Sequence, residues 1–308
     1  MTRSRTAILN GKTAEEEEVK AALELLVADE TPTDVVVTRA AGDAARYAYD
    51  AAVGGADEIV VFGGDGTLSG LATGLSIALD EGHETRAIVG IVPTGTANDF
   101  ASAAGLVAGD PPGAVRAMST LQPVALDVGH GGSGAFLNVV TAGFGSEISS
   151  SVTKEMKAVL GRVAYLVSAV TQVTAVEPRV ARIRADGFDE ALGFYLLAIG
   201  NGRCAGGGIP VCPDASAVDG LFDVTIVPEG KVGTAIAEVV QQGLSGIGEA
   251  GIRIRTPWIE IETESPLQVN LDGEGLEGTR FRFEVRPSAM RVLLPADSPL
   301  LGASRPPA

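Results

Sequence analysis

Apolar residues follow two different rhythms along this chain, and the change between them divides it. In the first part, short unbroken apolar runs alternate with stretches of helical spacing. Residues 6–10 (TAILN), 34–38 (DVVVT), 58–62 (EIVVF) and 87–92 (AIVGIV) predict strands. Residues 14–28, 43–53, a stretch after Asp65 and another from about Asn98 predict helices. Strands that are apolar throughout are covered on both faces, and a helix after each returns the chain for parallel pairing. This pattern predicts an α/β N-terminal nucleotide-binding domain over residues 1–128.

From 129 to 294 strands dominate. They are predicted at 135–140, 179–185, 194–199, 222–227, 258–262, 267–271 and 280–285, with helical segments at 154–173 and 232–244. Many strands with few helices predict a β-rich, sandwich-like C-terminal domain. The tail from Pro295 is rich in Pro, Ser and Ala and is expected to be loosely ordered.

Composition narrows the function. A chain of 308 residues, 45% hydrophobic, is long enough for two domains. A net charge of −16 argues against a nucleic-acid partner and against general affinity for anionic membrane. Cys204 and Cys212 make no disulfide framework, and His83 and His130 stand alone without zinc-ligand spacing. The apolar run after Arg3 and Arg5 is too short for a signal peptide. The longest uncharged window, from Val128 up to Glu147, is interrupted by glycines and reads as strand, turn and strand. A cytoplasmic protein is expected.

Four segments carry candidate chemistry. In the first, a strand ending at Phe62 turns through Gly63-Gly64-Asp65-Gly66-Thr67 into a helix. Glycines let backbone N–H groups meet a phosphate, the helix N-terminus favours negative charge, and Asp65 can hold a bridging Mg²⁺. An ordinary turn capped by Asp65 or Thr67 explains the same residues. Gly11-Lys12-Thr13 lacks the earlier glycine of a P-loop, because position 6 is Thr6; a dinucleotide fingerprint from Gly64 fails at Ser69.

The second segment, 90–101 (GIVPTGTANDFA), is again strand, turn and helix start. Thr96, Asn98 and Asp99 can offer hydroxyl, amide and carboxylate at a strand end, where open α/β sheets bind ligands. Asn98 also suits a plain helix N-cap. In the third, 201–224, Asp219 with backbone carbonyls can hold a cation, and Asp219-Gly220 equally suits a plain turn. In the fourth, 269–278, Asp272-Gly273 signals a hairpin from which Glu274 projects. Glu274 can accept a hydroxyl proton, or be a solvated hairpin charge.

Together GGDGT (63–67), PTGTANDFA (93–101), NGRCAGGG (201–208), VDGLFDV (218–224) and LDGE (271–274) resemble the diacylglycerol kinase catalytic-domain family, and within it the YegS-like bacterial lipid kinases. TRAAGDAARY (38–47) and FLNVVTAGFG (136–145) extend the resemblance to about 6–295. It implies an ATP-dependent kinase acting on a lipid hydroxyl, diacylglycerol- or phosphatidylglycerol-like. Thr38, the loop Gly63, Gly64, Asp65, Gly66, Thr67, Leu68 and Ser69, and Thr96 would bind ATP, with Asn98 beside them. Glu274 would be the catalytic carboxylate and Asp65 the nucleotide and metal aspartate. Ser216, Asp219 and Leu221 would hold a structural cation, Mg²⁺ or Ca²⁺. The segment 295–308 would return to the first domain. One departure stands out: the family commonly reads Asn-Glu where this chain has Ser69-Gly70.

Two other functions fit the same motifs: a kinase of NAD or a polyol, and a catalytically silent lipid-binding regulator, suggested by Ser69-Gly70. A lipid substrate requires transient membrane contact. Residues 152–176 offer an apolar stripe beside Lys154, Lys157 and Arg162 for it, although such a stripe also suits packing against the second domain. Oligomeric state is left open by the sequence.

Overall fold

The computed structural model describes residues 3–132, 134–143, 177–205, 208–231 and 251–301. The helical segments expected at 154–173 and 232–244, the apolar stripe at 152–176 and two glycines at 206–207 lie outside the described residues. The chain forms two compact units. One comprises Met1–Leu137, Ala217–Gly220 and Arg286–Ala308; the other comprises Asn138–Ser216 and Leu221–Val285.

The first unit is an α/β layer structure. Strands β1 (Arg5–Leu9), β2 (Thr33–Val37), β3 (Glu58–Gly63) and β4 (Ile88–Pro93) alternate with helices α1 (Glu17–Val27), α2 (Asp43–Val53), α3 (Asp65–Asp80) and α4 (Asp99–Ala104). The strands are parallel, in the order β2-β1-β3-β4. All but the first residue of β3 and of β4 are buried, as unbroken apolar runs require when helices cover both faces. Helix α5 (Pro111–Ala117) follows, a helix the apolar rhythm does not single out. Its signal is local chemistry: Asp110 accepts a hydrogen bond from Gly113 N at 2.8 Å, with proline in the first turn.

The unit then runs beyond 128. Strands β5 (Gln122–Gly131) and β6 (Gly134–Phe136) pair antiparallel, and the Thr73 hydroxyl of α3 accepts the Ala135 N–H at 2.9 Å. Leu126, Val128, Ala135 and Leu137 share one core with Leu68, Leu71 and Leu75 of α3, so this hairpin belongs to the first unit rather than the second.

Helices α2 and α3 lie unusually close. A Cβ on Gly70 would come 2.8 Å from Ala44 Cβ, and one on Gly74 would come 2.1 Å from the Ala45 carbonyl oxygen. Position 70 therefore holds glycine because α2 occupies the space a side chain would need, which gives a packing reason for the missing glutamate. Gly74→Ala is expected to destabilise the protein by about 1–3 kcal/mol through overpacking. Helix propensity alone would favour Ala by about 1 kcal/mol. Thermal denaturation separates the two, and a raised melting temperature would show that the helices can part freely.

The second unit is built of antiparallel strands: β7 (Val139–Gly143), β8 (Arg179–Ala185), β9 (Phe188–Gly200), a short pair β10 (Cys204–Ala205) and β11 (Ile209–Pro210), β12 (Phe222–Pro228), β13 (Ile252–Thr256), β14 (Trp258–Leu271) and β15 (Glu274–Leu294). β9 and β14 each pair with both β7 and β8, which folds the strands into a sandwich-like unit. Ala181, Ile183, Ile259, Ile261, Phe281 and Phe283 point inward. The alternating outward residues form cross-strand ion pairs such as Arg184–Glu262 and Arg280–Glu262, which are too exposed to contribute much stability.

Several strand bounds differ from those the sequence predicts: β9 begins at Phe188 rather than 194, β13 is a strand the sequence does not predict, and three further differences have a clear physical reason. The strand expected at 135–140 is two, β6 and β7, because the Asn138 N–H leaves the ladder for the Asp272 carboxylate. Those at 258–262 and 267–271 are one strand whose register shifts between Glu262 and Leu267, where Pro266 has no N–H to donate. The strand at 280–285 is the middle of β15, which continues into the first unit from Arg286. There Arg291 and Val292 pair in parallel with Ile88 and Val89 of β4.

Candidate active site

In the first unit, the strand order reverses between β1 and β3, because the chain steps to β2 on one side of β1 and to β3 on the other. Ligands of open α/β sheets bind at the carboxyl ends of strands at such a point. A polar rim lies there. Asn10 Nδ2, just past β1, donates to Thr67 Oγ1 at 3.0 Å, joining the loop after β1 to the first turn of α3. The Thr13 and Thr94 hydroxyls meet at 3.0 Å. The Thr38 hydroxyl, just past β2, accepts from Gly11 N at 3.1 Å. The motifs do not mark Asn10 or Thr94 as binding residues, and Thr13 enters only through a P-loop match that fails; the signal that finds them is position, each within a few residues of a strand's carboxyl end.

The loops after β3 and β4 touch. A Cβ on Gly64 would lie 2.8 Å from Gly95 Cα, and one on Gly95 would lie 2.5 Å from Gly64 Cα, so both positions require glycine. Gly66 differs: it is exposed, and a Cβ there would meet nothing within 4 Å. Packing does not demand glycine at 66, so the space above it is free for a ligand. Gly64 occupies the N-cap of α3, and no side chain caps that helix. The N–H groups of Thr67 and Leu68 already donate to the Gly64 carbonyl, at 3.0 and 3.1 Å. Among the described residues the amides of Asp65 and Gly66 are therefore the ones left without a partner at the start of this 16-residue helix, beside the free space at Gly66.

Asp65 joins the two loops. Its carboxylate accepts the N–H of Asp99 at 3.0 Å and of Phe100 at 2.9 Å, so it caps α4 across the fold. Asn98 stands at the N-cap position of α4 in a left-handed conformation, φ 49°, but does not cap it. Its side chain instead accepts from Gly95 N at 3.0 Å and donates to Gly95 O at 2.8 Å, closing its own loop. Thr96 is exposed at the tip of that loop. Leu68 is a core residue whose N–H already donates to the Gly64 carbonyl at 3.1 Å, and Ser69 is buried one turn into α3. Beyond Thr38, the Asp43 carboxylate accepts the N–H groups of Arg39 and Ala40 and pairs with Arg46. These bonds, that from Arg39 foremost, lower its pKa to about 2 and fix the turn into α2.

In the second unit, Asp272 (φ 46°) and Gly273 (φ 101°) form the two-residue turn between β14 and β15, with Leu271 opposite Glu274. Asn270 Oδ1 accepts from Gly273 N at 2.8 Å. The Asp272 carboxylate accepts the N–H of Asn138 at 3.1 Å and of Val139 at 2.9 Å, which ties the turn to the start of β7. The Asn138 carbonyl accepts in turn from the N–H of Asn201 and of Gly202. Glu274 is exposed, and its carboxylate has no partner among the described residues.

Of the candidate cation residues, Ser216 is buried, Asp219 exposed and Leu221 half-buried. Within the first unit a second carboxylate stands near Asp219. Asp127 of β5 is buried and accepts the N–H of Gly220 at 2.7 Å and of Ser288 at 2.8 Å. Burial pushes its pKa up, those two N–H groups oppose the shift, and the charge of Asp219 adds to it. Two carboxylates that repel one another suit a hard cation with oxygen ligands. Among the described residues no three His, Cys, Asp or Glu side chains cluster as a metal site, so backbone carbonyls would have to complete any such shell.

Residues 6–130 match the diacylglycerol kinase catalytic domain, and residues 138–294 match the YegS C-terminal NAD kinase beta sandwich-like domain. A probable lipid kinase YegS-like of Pseudomonas syringae pv. syringae (strain B728a) is 40% identical over 307 residues, covering 99% of this chain and 98% of that protein. Its counterpart in Pseudomonas aeruginosa PAO1 is 41% identical, covering 96% of this chain and 95% of its own length. The fold is also that of a diacylglycerol kinase from Bacillus anthracis str. Sterne, with TM-score 0.78, 24% identity, 96% of this chain and 98% of the other. Among the described residues, no helix is long and apolar enough to cross a membrane.

Proposed function

Since the chain belongs to the YegS-like lipid kinases of the diacylglycerol kinase catalytic-domain family, we propose that it transfers the γ-phosphoryl group of ATP to a membrane-lipid hydroxyl. The observation that carries this reading is the free space over Gly66 at the uncapped N-terminus of α3, beside the point where the strand order reverses. ATP with a divalent cation supplies the phosphoryl group and offsets its charge, so positioning is the main task left to the protein. The backbone N–H groups of Asp65 and Gly66, the two that the start of α3 leaves unbonded, hold phosphate oxygens. Asp65 keeps the loops after β3 and β4 in register, and its carboxylate would be the group to hold a cation that offsets phosphate charge. Asn10, Thr38 and Thr96 line the nucleotide side. Glu274 takes up the proton of the lipid hydroxyl. Asp219 and Asp127, with backbone carbonyls, suit a structural Mg²⁺ or Ca²⁺.

The Ser69-Gly70 departure does not count against turnover on this reading, because Gly70 answers to the approach of α2. The test is incubation of the purified protein with labelled ATP and Mg²⁺, in parallel with extracted lipids, with NAD and with polyols as acceptor. Label in the lipid fraction, dependent on Mg²⁺, is expected. Label only in NAD or a polyol would replace the lipid substrate, and lipid binding by folded protein without ATP consumption would replace catalysis itself.

A further inference from the structure

Helix α4 has six residues, too few to persist on its own hydrogen bonds. It is held at both ends. Asp65 caps its first amides, as described above. At the other end the chain turns at Gly105 (φ 76°), and a Cβ there would lie 3.6 Å from Pro299 Cδ and 3.9 Å from Pro295 Cγ, so two prolines of the C-terminal segment cover this turn. Ser298 is buried, and its hydroxyl donates to the Ala104 carbonyl at 2.8 Å. Leu300 is fully buried in the core that also contains Phe100 and Ala104 of α4. The Leu300 carbonyl accepts the N–H of Ala217 at 3.0 Å, and the Ala217 carbonyl accepts that of Asp127 at 2.7 Å.

We propose that residues 295–301 are a strap that positions both nucleotide loops, with Ser298 and Leu300 as positioning residues acting through α4. The 94–98 loop runs directly into α4, and the 63–66 loop is fixed to it by the Asp65 carboxylate. The two loops also touch at Gly64 and Gly95. Neither loop can shift without moving α4, and α4 is anchored by the strap. The path from Leu300 to Ala217 and Asp127 makes the same strap a brace for the turn containing Asp219. The inference rests on the proposed function only in naming a nucleotide as what these loops hold. The anchoring itself is a property of the protein alone.

The test uses the full chain as Leu300→Ala, Leu300→Met and Ser298→Ala. Amide exchange, measured without nucleotide, should quicken in 94–104 and 63–68 in the two Ala variants, with the rest of the first unit near its wild-type pattern. The Kd for MgATP should rise about tenfold in Leu300→Ala, within the range typical of coupling between sites, and less in Ser298→Ala. Leu300→Met should restore both. Exchange at 94–104 unchanged in both Ala variants would overturn the proposal. So would unchanged MgATP affinity in a folded Leu300→Ala protein. If that variant fails to fold, Ser298→Ala carries the test. A wild type that binds no MgATP would overturn the nucleotide reading, while the exchange comparison would still decide whether the strap fixes the loops.

Discussion

Glu274→Gln should lower lipid-kinase turnover by about 10²–10⁴-fold, the usual worth of general-base catalysis, with nucleotide affinity little changed. The LDGE sequence offers two carboxylates for the role, and their surroundings separate them. Asp272 sits inside the turn with its oxygens on the amides of Asn138 and Val139. Protonating or moving it would release the turn from β7. Glu274, the first residue of β15, is exposed and unpartnered among the described residues, so its carboxylate can take a proton without disturbing the fold. Gln keeps the shape and removes the basicity, which makes it a better probe than Ala. The measurement is kcat at saturating MgATP on lipid vesicles. Turnover within a few-fold of wild type would remove Glu274 from the base role and return attention to Asp272.

The residues most legible in the sequence are those whose environment is local. β3 and β4 are legible because strands buried on both faces are apolar throughout. The GGDGT turn is legible because glycine answers directly to the approach of Gly95 and to the open space at Gly66. The 272–274 hairpin is legible because Asp-Gly fits two positive φ angles. What the sequence hides is non-local. Asp65 reaches α4 across 34 residues, and Asp272 reaches Asn138 across 134. No periodicity records such bonds, and so Asp65 reads as a turn cap or a metal ligand and not as the cap of a second helix. β15 is hidden for another reason. Gly275, Gly278, Pro287 and Ser288 (φ 54°) interrupt its alternation, and only its middle reads as a strand. Ser69-Gly70 looks like a loss when set beside a family pattern, and its cause becomes visible only when Ala44 is seen against Gly70.

Asp65→Ala is expected to do two things at once, and Asp65→Asn to separate them. The Ala variant removes the acceptor for the Asp99 and Phe100 amides. Loss of a helix cap costs about 0.5–2 kcal/mol, so the variant should unfold at lower denaturant as well as bind MgATP weakly. Lost binding in that variant would therefore not show by itself that the carboxylate meets the cation. Asn retains one oxygen that can still accept from an α4 amide, so most of the cap should survive. It lacks the negative charge that attracts a hard cation beside phosphate. The expected pattern is a stability close to wild type for Asp65→Asn, with MgATP affinity falling by tenfold or more and affinity for metal-free ATP changing much less. Calorimetry with and without Mg²⁺, next to a denaturant titration, measures both quantities. Equal MgATP affinity in wild type and Asp65→Asn would leave Asp65 with one role, holding α4 against the phosphate loop, and would move the search for the cation's ligand to other oxygens at the ends of β1, β3 and β4.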